Sequence, residues 1–440
     1  MHAVKHTERG FNIRHFIREE SLGGLLLIGA TLVALIWANS GYQESYDFLW
    51  HKLKFSVGMN DQSIRLSLQH WINDGLMALF FFMIGLEVKR EVLAGELSSV
   101  RKAGLPIAAA VGGMVIPAAF YVLINMNSPE TINGWGVPMA TDIAFVLGIL
   151  SLLGDRVPVN LKVFLTALAI ADDLGAILVI AVFYTDTIHI NELINAGIFL
   201  VVLFTANRIG IRNTGFYAIV GLFGVWMSFL FSGVHATIAG VLIALTIPVR
   251  SKIDEEEYIG KMCNLVDKFE NEKPNDHHLL TQKQSHLLGE ITKLSNYAQT
   301  PLQKLEHALH PLTAFIILPL FALSNAGVKI DGNIFGMIIH PVSTGVIIGL
   351  IAGKAIGIYL FSVLMVRLKL ADLPSGVTRK HLFGAGIMAG IGFTMSIFIS
   401  GLAFENAEFE QIAKVGIIVA SIVAATLGMV ILASTRKAQS

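Results

Sequence analysis

The 440-residue sequence predicts an all-α polytopic membrane protein with about twelve transmembrane helices, forming one integral membrane domain over residues 1–440. Hydrophobic residues make up 54% of the chain and charged residues only 15%, whereas soluble domains carry about 25% charged residues. The apolar residues occur in continuous blocks rather than at amphipathic spacing. Together these observations exclude an ordinary soluble domain.

The predicted spans are the apolar blocks, taken in chain order. They cover residues 22–39, 71–87, 103–124, 135–153, 163–184, 191–207, 215–231, 234–249, 311–328, 344–366, 383–404 and 412–433. The first block follows basic residues and precedes Ala38-Asn39-Ser40, which resembles a signal-peptide cleavage site. Because its apolar stretch is longer than a signal-peptide core, we interpret it as a retained helix.

Basic residues predict the orientation of the spans, because Lys and Arg accumulate in short cytoplasmic connections. Outside the long connection at 250–310, 18 of them lie on the side of the N-terminus and 5 on the opposite side. The sequence therefore predicts that both termini are cytoplasmic.

Other compositional features exclude several functions. The single cysteine, Cys263, excludes an internal disulfide framework and an all-cysteine metal site. The formal net charge is zero, and no basic surface interleaved with aromatic residues suggests nucleic-acid binding.

Two connections are long enough to carry structure of their own. In the outer loop 41–70, apolar residues alternate with polar ones on both sides of Gly58-Met59-Asn60-Asp61, a pattern that predicts a β-hairpin. A solvated loop is the alternative. The inner loop 250–310 is polar, and its leucines from Leu287 to Leu309 favour an amphipathic helix. Its His277-His278 pair is interpreted as solvated rather than as a metal site.

Two adjacent carboxylates, Asp172 and Asp173, lie near the middle of the apolar span 163–184. Each costs roughly 2.5–3.5 kcal/mol at the centre of a membrane helix, even on insertion scales that give low values. Such groups are kept where they face a hydrated cavity and handle ions or protons. Because successive residues on a helix point about 100° apart, we expect one to face the cavity and the other to reach towards Lys354.

Two spans carry signals for a broken helix. Gly134, Gly136 and Pro138 precede Thr141-Asp142, and four glycines (384, 386, 390 and 392) precede Thr394 and Ser396. Interrupted spans in corresponding halves of a chain point to a transporter's binding site. Asp142 is expected to offset helix N-terminal ends. The lysine Lys354 could offset C-terminal ends, or it could pair with a span-five aspartate.

This set of groups suggests an exchange chemistry. A hard alkali cation prefers oxygen ligands, and protons compete for the same carboxylate oxygens. A site that holds either the cation or protons is an exchanger, and two protons released per monovalent cation would make the exchange electrogenic. A purely structural role remains the alternative for each group. His235, at the start of span eight, is interpreted as an interfacial hydrogen bonder.

The chain resembles the NhaA family of bacterial sodium/proton antiporters in motifs that run in the same order across nearly its whole length. The matching stretches are Trp71-Ile72-Asn73-Asp74-Gly75-Leu76-Met77, Gly85-Leu86-Glu87-Val88-Lys89-Arg90-Glu91, Ala140-Thr141-Asp142-Ile143-Ala144-Phe145, Ala171-Asp172-Asp173-Leu174-Gly175-Ala176, Ser232-Gly233-Val234-His235-Ala236-Thr237, Ser324-Asn325-Ala326-Gly327-Val328 and Gly390-Ile391-Gly392-Phe393-Thr394-Met395-Ser396-Ile397.

The resemblance implies twelve helices with inverted-topology repeats and two discontinuous, crossing helices, an architecture for which the family is a known example. It implies a homodimer formed through the outer hairpin, in the bacterial inner membrane and in contact with its lipid. The expected function is export of Na⁺ or Li⁺ against inward-moving H⁺, with no enzymatic activity and no cofactor.

The resemblance also assigns residues. Asp172 and Asp173 carry the cation and protons, Thr141 and Asp142 support the broken helices, and Lys354 is the partner of Asp172. A pH-responsive cluster maps to the inner side of the membrane, at Glu87, Arg90, Glu91, Glu306, His307 and His310. Gln303 stands where well-known members have a basic residue, so the activating pH is expected to differ. A solvated charged face is the alternative to this sensor.

Two other classes of protein use related features. An intramembrane aspartyl protease needs two carboxyls that face each other across a shared water. Adjacent Asp172 and Asp173 have the wrong geometry for this, although Asp142 with Asp173 could serve in principle. An ion channel needs no proton coupling and conducts faster than a carrier.

Overall fold

The computed structural model describes residues 13–59, 62–185, 188–272, 279–330 and 332–435. Helices account for most of these residues, and one two-stranded sheet is present among them. In chain order the first elements are α1 (Ile13–Ala38), α2 (Gln43–Lys52), β1 (Lys54–Met59), β2 (Gln62–Ser67), α3 (Leu68–Ala94), α4 (Val100–Asn125), α5 (Pro129–Met139), α6 (Ile143–Leu152), α7 (Val159–Phe183) and α8 (Ile190–Ile209). They are followed by α9 (Thr214–Ser232), α10 (Ala236–Thr246), α11 (Glu255–Asn271), α12 (Gln282–Ala298), α13 (Pro301–Asn325), α14 (Ile334–Ile339), α15 (Pro341–Arg367), α16 (Arg379–Met388), α17 (Phe393–Ala403) and α18 (Ala407–Ala433).

Eight helices within the described residues are long and apolar enough to cross a membrane. Three further pairs, α1–α2, α5–α6 and α16–α17, meet the same test together but are bent by 118°, 48° and 48°, so that up to 11 spans result if each pair counts as one. The predicted span 234–249 corresponds to α10, which has only 11 residues. A helix of that length is about 16 Å long, against about 30 Å for the hydrocarbon core. The total of about twelve spans stays a prediction.

Small residues bring α4 and α15 into close contact. A Cβ atom added to Gly357 would lie 2.0 Å from the carbonyl oxygen of Gly112, so only glycine fits at this crossing. A Cβ atom on Gly353 would lie 2.7 Å from Cα of Pro117 in the same way. Because the two backbones touch here, Lys354 begins close to α4 and its side chain passes beside Gly113.

The order of elements occurs twice along the chain. A long helix, a bent pair and a second long helix appear as α4, α5–α6 and α7, and again as α15, α16–α17 and α18. The inverted relation between the two sets stays a prediction.

The two strands of the outer loop pair in antiparallel fashion. Lys54 lies opposite Ser67 and Met59 opposite Gln62. The predicted turn residues Asn60 and Asp61 lie outside the described residues, as do His277 and His278 of the inner loop.

The inner loop forms a helical hairpin of α11 and α12 at the surface. Its two ends are held together because the backbone nitrogen of Lys252 donates a 2.9 Å hydrogen bond to the carbonyl of Tyr297. The prediction of one amphipathic helix over 287–309 was wrong, since α12 ends at Ala298 and α13 begins at Pro301. Pro301 favours an extended conformation in the residue before it, and the Thr300 side chain caps the new helix by accepting from the nitrogen of Gln303.

Candidate functional site

Asp172 and Asp173 lie near the middle of α7, and their exposed fractions are only 1% and 2%. Because they are neighbours on a helix, their carboxylates leave it in different directions. The structure therefore places two buried acidic groups side by side with separate surroundings.

Asp172 forms an ion pair with Lys354 of α15. The Lys354 Nζ atom lies 2.5 Å from Oδ2 of Asp172 and donates a second hydrogen bond of 2.9 Å to the hydroxyl of Thr141. The lysine is fully buried. Of the two partners that the sequence left open for Lys354, the structure thus gives the aspartate rather than helix C-terminal carbonyls.

Asp142 caps two helices at once. Its Oδ1 accepts a 3.0 Å hydrogen bond from the backbone nitrogen of Phe145 in α6. Its Oδ2 accepts from Thr394 of α17, at 3.0 Å from the backbone nitrogen and 2.5 Å from the hydroxyl. A carboxylate at this point stabilises the partial positive charge at both helix N-termini.

The extended residues at the two breaks also bond to each other. The backbone nitrogen of Asp142 donates to the carbonyl of Ile391 at 2.7 Å, and the Thr141 hydroxyl donates to the carbonyl of Ala389 at 2.9 Å. The Ser396 hydroxyl donates to the carbonyl of Val137 at 2.8 Å. Inside a membrane, irregular backbone survives only when its polar groups are paired within the protein. Each break therefore supplies partners for the other.

Asp173 differs from its neighbour in having no ion pair among the described residues. Its Oδ1 atom is buried and forms no hydrogen bond with a described residue, as is also true of Oδ1 of Asp172. Its electrostatic neighbours are Asp172, Glu87, Asp142 and Lys354, three acids and one base. An acidic oxygen in such surroundings is suited to a cation or a proton.

His235 lies away from this centre, at the start of α10. Its Nε2 atom is 2.7 Å from the carbonyl of Tyr184, at the end of α7. The tyrosine hydroxyl in turn accepts from the nitrogen of Gly136 and donates to the carbonyl of Asn133. The histidine thus takes part in hydrogen bonding at one end of the bundle.

Comparison with known proteins gives the family of this chain. A family model described as Na⁺/H⁺ antiporter 1 matches residues 14–432. The chain belongs to the NhaA family of sodium/proton antiporters.

Individual relatives align over nearly the full length. "Na(+)/H(+) antiporter NhaA 1" of Psychromonas ingrahamii is 49% identical over 94% of this chain and 94% of its own. "Na(+)/H(+) antiporter NhaA" of Oleidesulfovibrio alaskensis is 50% identical over 93% of this chain and 91% of its own. A solved structure, the sodium proton antiporter MjNhaP1 from Methanocaldococcus jannaschii, aligns over 96% of both chains with a TM-score of 0.45 and 11% identity.

The structure brings together most residues of the cluster that the NhaA resemblance marks as pH-responsive. Arg90 of α3 donates one hydrogen bond to Glu306 of α13 and another, of 2.9 Å, to the neighbouring Glu91. Both Glu87 and His310 are buried and line a cavity beside Arg90. The cluster therefore links α3 to α13 through one guanidinium group.

Two residues near the start of α13 lie outside the buried part of this cluster. His307 is exposed, so it lies outside the packed part of the cluster. Gln303 is also exposed and bonds to Thr300 in the cap of α13. Gln303 therefore takes part in the N-terminal cap of α13.

Sequence reasoning missed a pair of amides between α3 and α13. Asn73 and Asn325 exchange hydrogen bonds of 3.2 and 2.9 Å, and Gln69 donates to the same Asn325 oxygen at 2.9 Å. Both asparagines fall within the quoted family motifs. Two polar residues inside apolar spans could have indicated a role for these asparagines. Nothing in the sequence, however, showed that their side chains form hydrogen bonds with each other.

Proposed function

We propose that this chain exports sodium or lithium ions in exchange for inward-moving protons, as an electrogenic and pH-regulated antiporter. The observation that carries the proposal is the contrast between two adjacent buried carboxylates. Asp172 is paired with Lys354, whereas Asp173 has no ion pair among the described residues and its buried Oδ1 atom has no hydrogen-bond partner there. Membership in the NhaA family and the names of the relatives support the same function.

The exchange follows from competition for oxygen ligands. A cytoplasmic Na⁺ or Li⁺ ion binds at Asp173, and the neighbouring oxygens of Asp172 and the Thr141 hydroxyl complete its surroundings. One proton leaves Asp173, and a second leaves the Asp172–Lys354 pair as the cation takes over the Asp172 oxygens. Because one positive charge leaves the cell for two that enter, the membrane potential drives the cycle.

The paired breaks supply the element that moves. We infer that the two broken spans cross at their bonded breaks and that Asp142 holds their N-terminal ends together. The half-helices can then shift as a unit around the cation site. Rigid movement around a central site is the general mode of secondary transporters.

The chain assembles as a dimer in the membrane and responds to pH. The strands β1 and β2 join two copies into a homodimer, since a lone hairpin has open edges that favour pairing. The protein lies in the bacterial inner membrane, in contact with lipid, with both termini in the cytoplasm. The cluster of Glu87, Arg90, Glu91, Glu306, His307 and His310 adjusts activity to cytoplasmic pH.

The protease alternative is disfavoured by the same geometry. It would need Asp142 to share a water with Asp173. Both oxygens of Asp142 instead accept hydrogen bonds from Phe145 and Thr394. A carboxylate used in this way is a structural cap rather than a free general base.

Everted membrane vesicles test the proposed function. A proton gradient is formed, and Na⁺, Li⁺ or K⁺ is added between pH 6.5 and 9 while the gradient is followed by a fluorescent probe. We expect Na⁺ and Li⁺ to dissipate it, and the Asp173→Asn variant to be inactive at equal expression. Dissipation that is equal in vesicles without the protein, or unaffected by Asp173→Asn, would overturn the proposal.

A further inference from the structure

The first half of the broken span α5–α6 is held by a tyrosine at the end of α7. The Tyr184 hydroxyl accepts a 3.0 Å hydrogen bond from the backbone nitrogen of Gly136 and donates one of 2.8 Å to the carbonyl of Asn133. Both backbone groups belong to the 3₁₀-helical segment Asn133–Met139 at the end of α5. Irregular backbone inside a membrane needs polar partners within the protein. The hydroxyl therefore supplies partners to this segment from a different helix.

The same tyrosine packs closely against α5. Its ring stacks on that of Trp135, with ring centroids 6.2 Å apart and the planes inclined by 27°. A Cβ atom added to Gly136 would lie 2.5 Å from the Tyr184 hydroxyl oxygen, so glycine is what lets the backbone come this close. Because the backbone itself contacts the tyrosine, this contact fixes the distance between α5 and α7.

Tyr184 also lies on the same face of α7 as Asp173. Eleven residues separate the two, which corresponds to about three helical turns, about 20° of rotation and about 16 Å along the axis. Because α5 contacts α7 at Tyr184, it lies over the face that carries Asp173. The tyrosine therefore sets the position of α5 relative to the carboxylate that we propose as the cation ligand.

A short, stiff segment connects this contact to the cation site. Thr141 follows Gly136 by only five residues, and residues 137–140 between them are all buried. Pro138 in this segment has a fixed φ angle. At its end the Thr141 hydroxyl accepts a 2.9 Å hydrogen bond from Nζ of Lys354. A shift of the backbone at Gly136 should therefore move the Thr141 oxygen.

We propose that Tyr184 is a positioning residue for cation binding. Its hydroxyl fixes the backbone at Gly136 on α7, so that the Thr141 oxygen lies where a cation at Asp173 can use it. The proposal rests on the proposed function and deepens it by adding a group that sets cation affinity from a distance. Because the hydroxyl bonds backbone groups of α5 rather than the cation, its loss should act on the affinity for Na⁺ and Li⁺.

The test compares Tyr184→Phe with the intact chain in proteoliposomes. The variant keeps the ring on Trp135 but leaves the buried backbone nitrogen of Gly136 without this partner. We expect the apparent KM for Na⁺ to rise about tenfold, because one unpaired buried polar group changes an equilibrium constant by roughly that factor. The maximal rate should stay within about twofold. The ratio of the KM values for Li⁺ and Na⁺ should change at least about twofold, since ions of different size need oxygens at different distances.

A matched control removes a tyrosine hydroxyl elsewhere. Tyr217 of α9 is also buried, and its hydroxyl donates a 3.0 Å hydrogen bond to the carbonyl of Ile211. The Tyr217→Phe variant should lose stability but keep both KM values. It therefore separates a general loss of packing from an effect on the cation site.

A second variant approaches the same contact from α5. In Gly136→Ala the added Cβ atom collides with the Tyr184 hydroxyl, so the KM for Na⁺ should again rise. Tyr184→Phe removes the colliding oxygen, so the double variant should show a smaller rise than the product of the two separate effects. Effects that multiply in full would show that the two residues act separately and would overturn the proposal.

Other outcomes are equally decisive. Unchanged KM values in Tyr184→Phe would overturn the proposal, and so would a lower maximal rate with an unchanged KM, which would assign the hydroxyl to the moving step. An equal rise of KM in Tyr217→Phe would also overturn it. Rates are normalised to folded protein from size-exclusion chromatography, and Gly136→Ala carries the test alone if Tyr184→Phe does not fold. Lack of Na⁺-dependent proton movement in the intact chain would instead refute the proposed antiport.

Discussion

Asp142 and Thr394 are joined by two hydrogen bonds to a single carboxylate oxygen, although the residues belong to different broken spans. The other oxygen of Asp142 caps its own helix through Phe145. Asp142 therefore serves both helices with one side chain, in addition to the other hydrogen bonds that join the two breaks.

Removing the hydroxyl of Thr394 should weaken this join. Thr394→Val loses a bond to a charged group, which contributes about 1.5–3 kcal/mol, so we expect a lower temperature of thermal unfolding in detergent. Thr394→Ser should preserve most of it. The control Thr426→Val removes an exposed hydroxyl that bonds only within its helix. Equal unfolding temperatures for Thr394→Val and Thr426→Val would contradict the prediction.

The two aspartates should differ in their effects on stability. Asp172→Asn leaves the fully buried ammonium of Lys354 without its partner, which costs about 3–5 kcal/mol. Asp173→Asn removes a carboxylate that has no such partner. We expect both variants to lose exchange but only Asp172→Asn to unfold at a markedly lower temperature. If Asp173→Asn proves the less stable of the two, the assignment of roles is wrong.

Acidification should weaken cation binding if, as proposed, protons and Na⁺ compete for the same carboxylates. The stability of the cation complex is fully present when the carboxylates are ionised and is lost as they take up protons. The apparent KM for Na⁺ should therefore fall as pH rises, by up to roughly tenfold per pH unit for each competing proton. Calorimetry in buffers of different ionisation enthalpy measures the protons released. Binding that releases none would exclude competition.

Glu306→Gln should shift the dependence of exchange on pH, because Arg90 loses a carboxylate to which it donates a hydrogen bond. His307→Ala should shift it less, since that side chain is exposed. The control Glu290→Gln changes an exposed acid on α12. Rate against pH in proteoliposomes gives the measurement, and identical profiles for Glu306→Gln and Glu290→Gln would remove Glu306 from the sensor.

Deleting residues 53–68, with a short Gly-Ser connection in their place, should weaken dimers. The deletion removes the paired strands Lys54–Met59 and Gln62–Ser67 and leaves the cation site intact. Native mass spectrometry in detergent would report the change, while exchange activity in the same preparation controls for folding. A dimer fraction equal to that of the full chain would show that the interface lies elsewhere.

The sequence by itself determined the membrane class, the approximate spans, the two interrupted helices and the buried acids. These properties are local, since a long apolar block or a run of Gly and Pro limits the conformation wherever it occurs. Tertiary structure alone decided that Lys354 pairs with Asp172, that Asp142 divides its oxygens between two helices, and that His310 rather than His307 lines the cavity beside Arg90. These contacts join residues far apart in the chain, so they depend on how the helices pack and at what rotation. No periodicity within one segment encodes that relation.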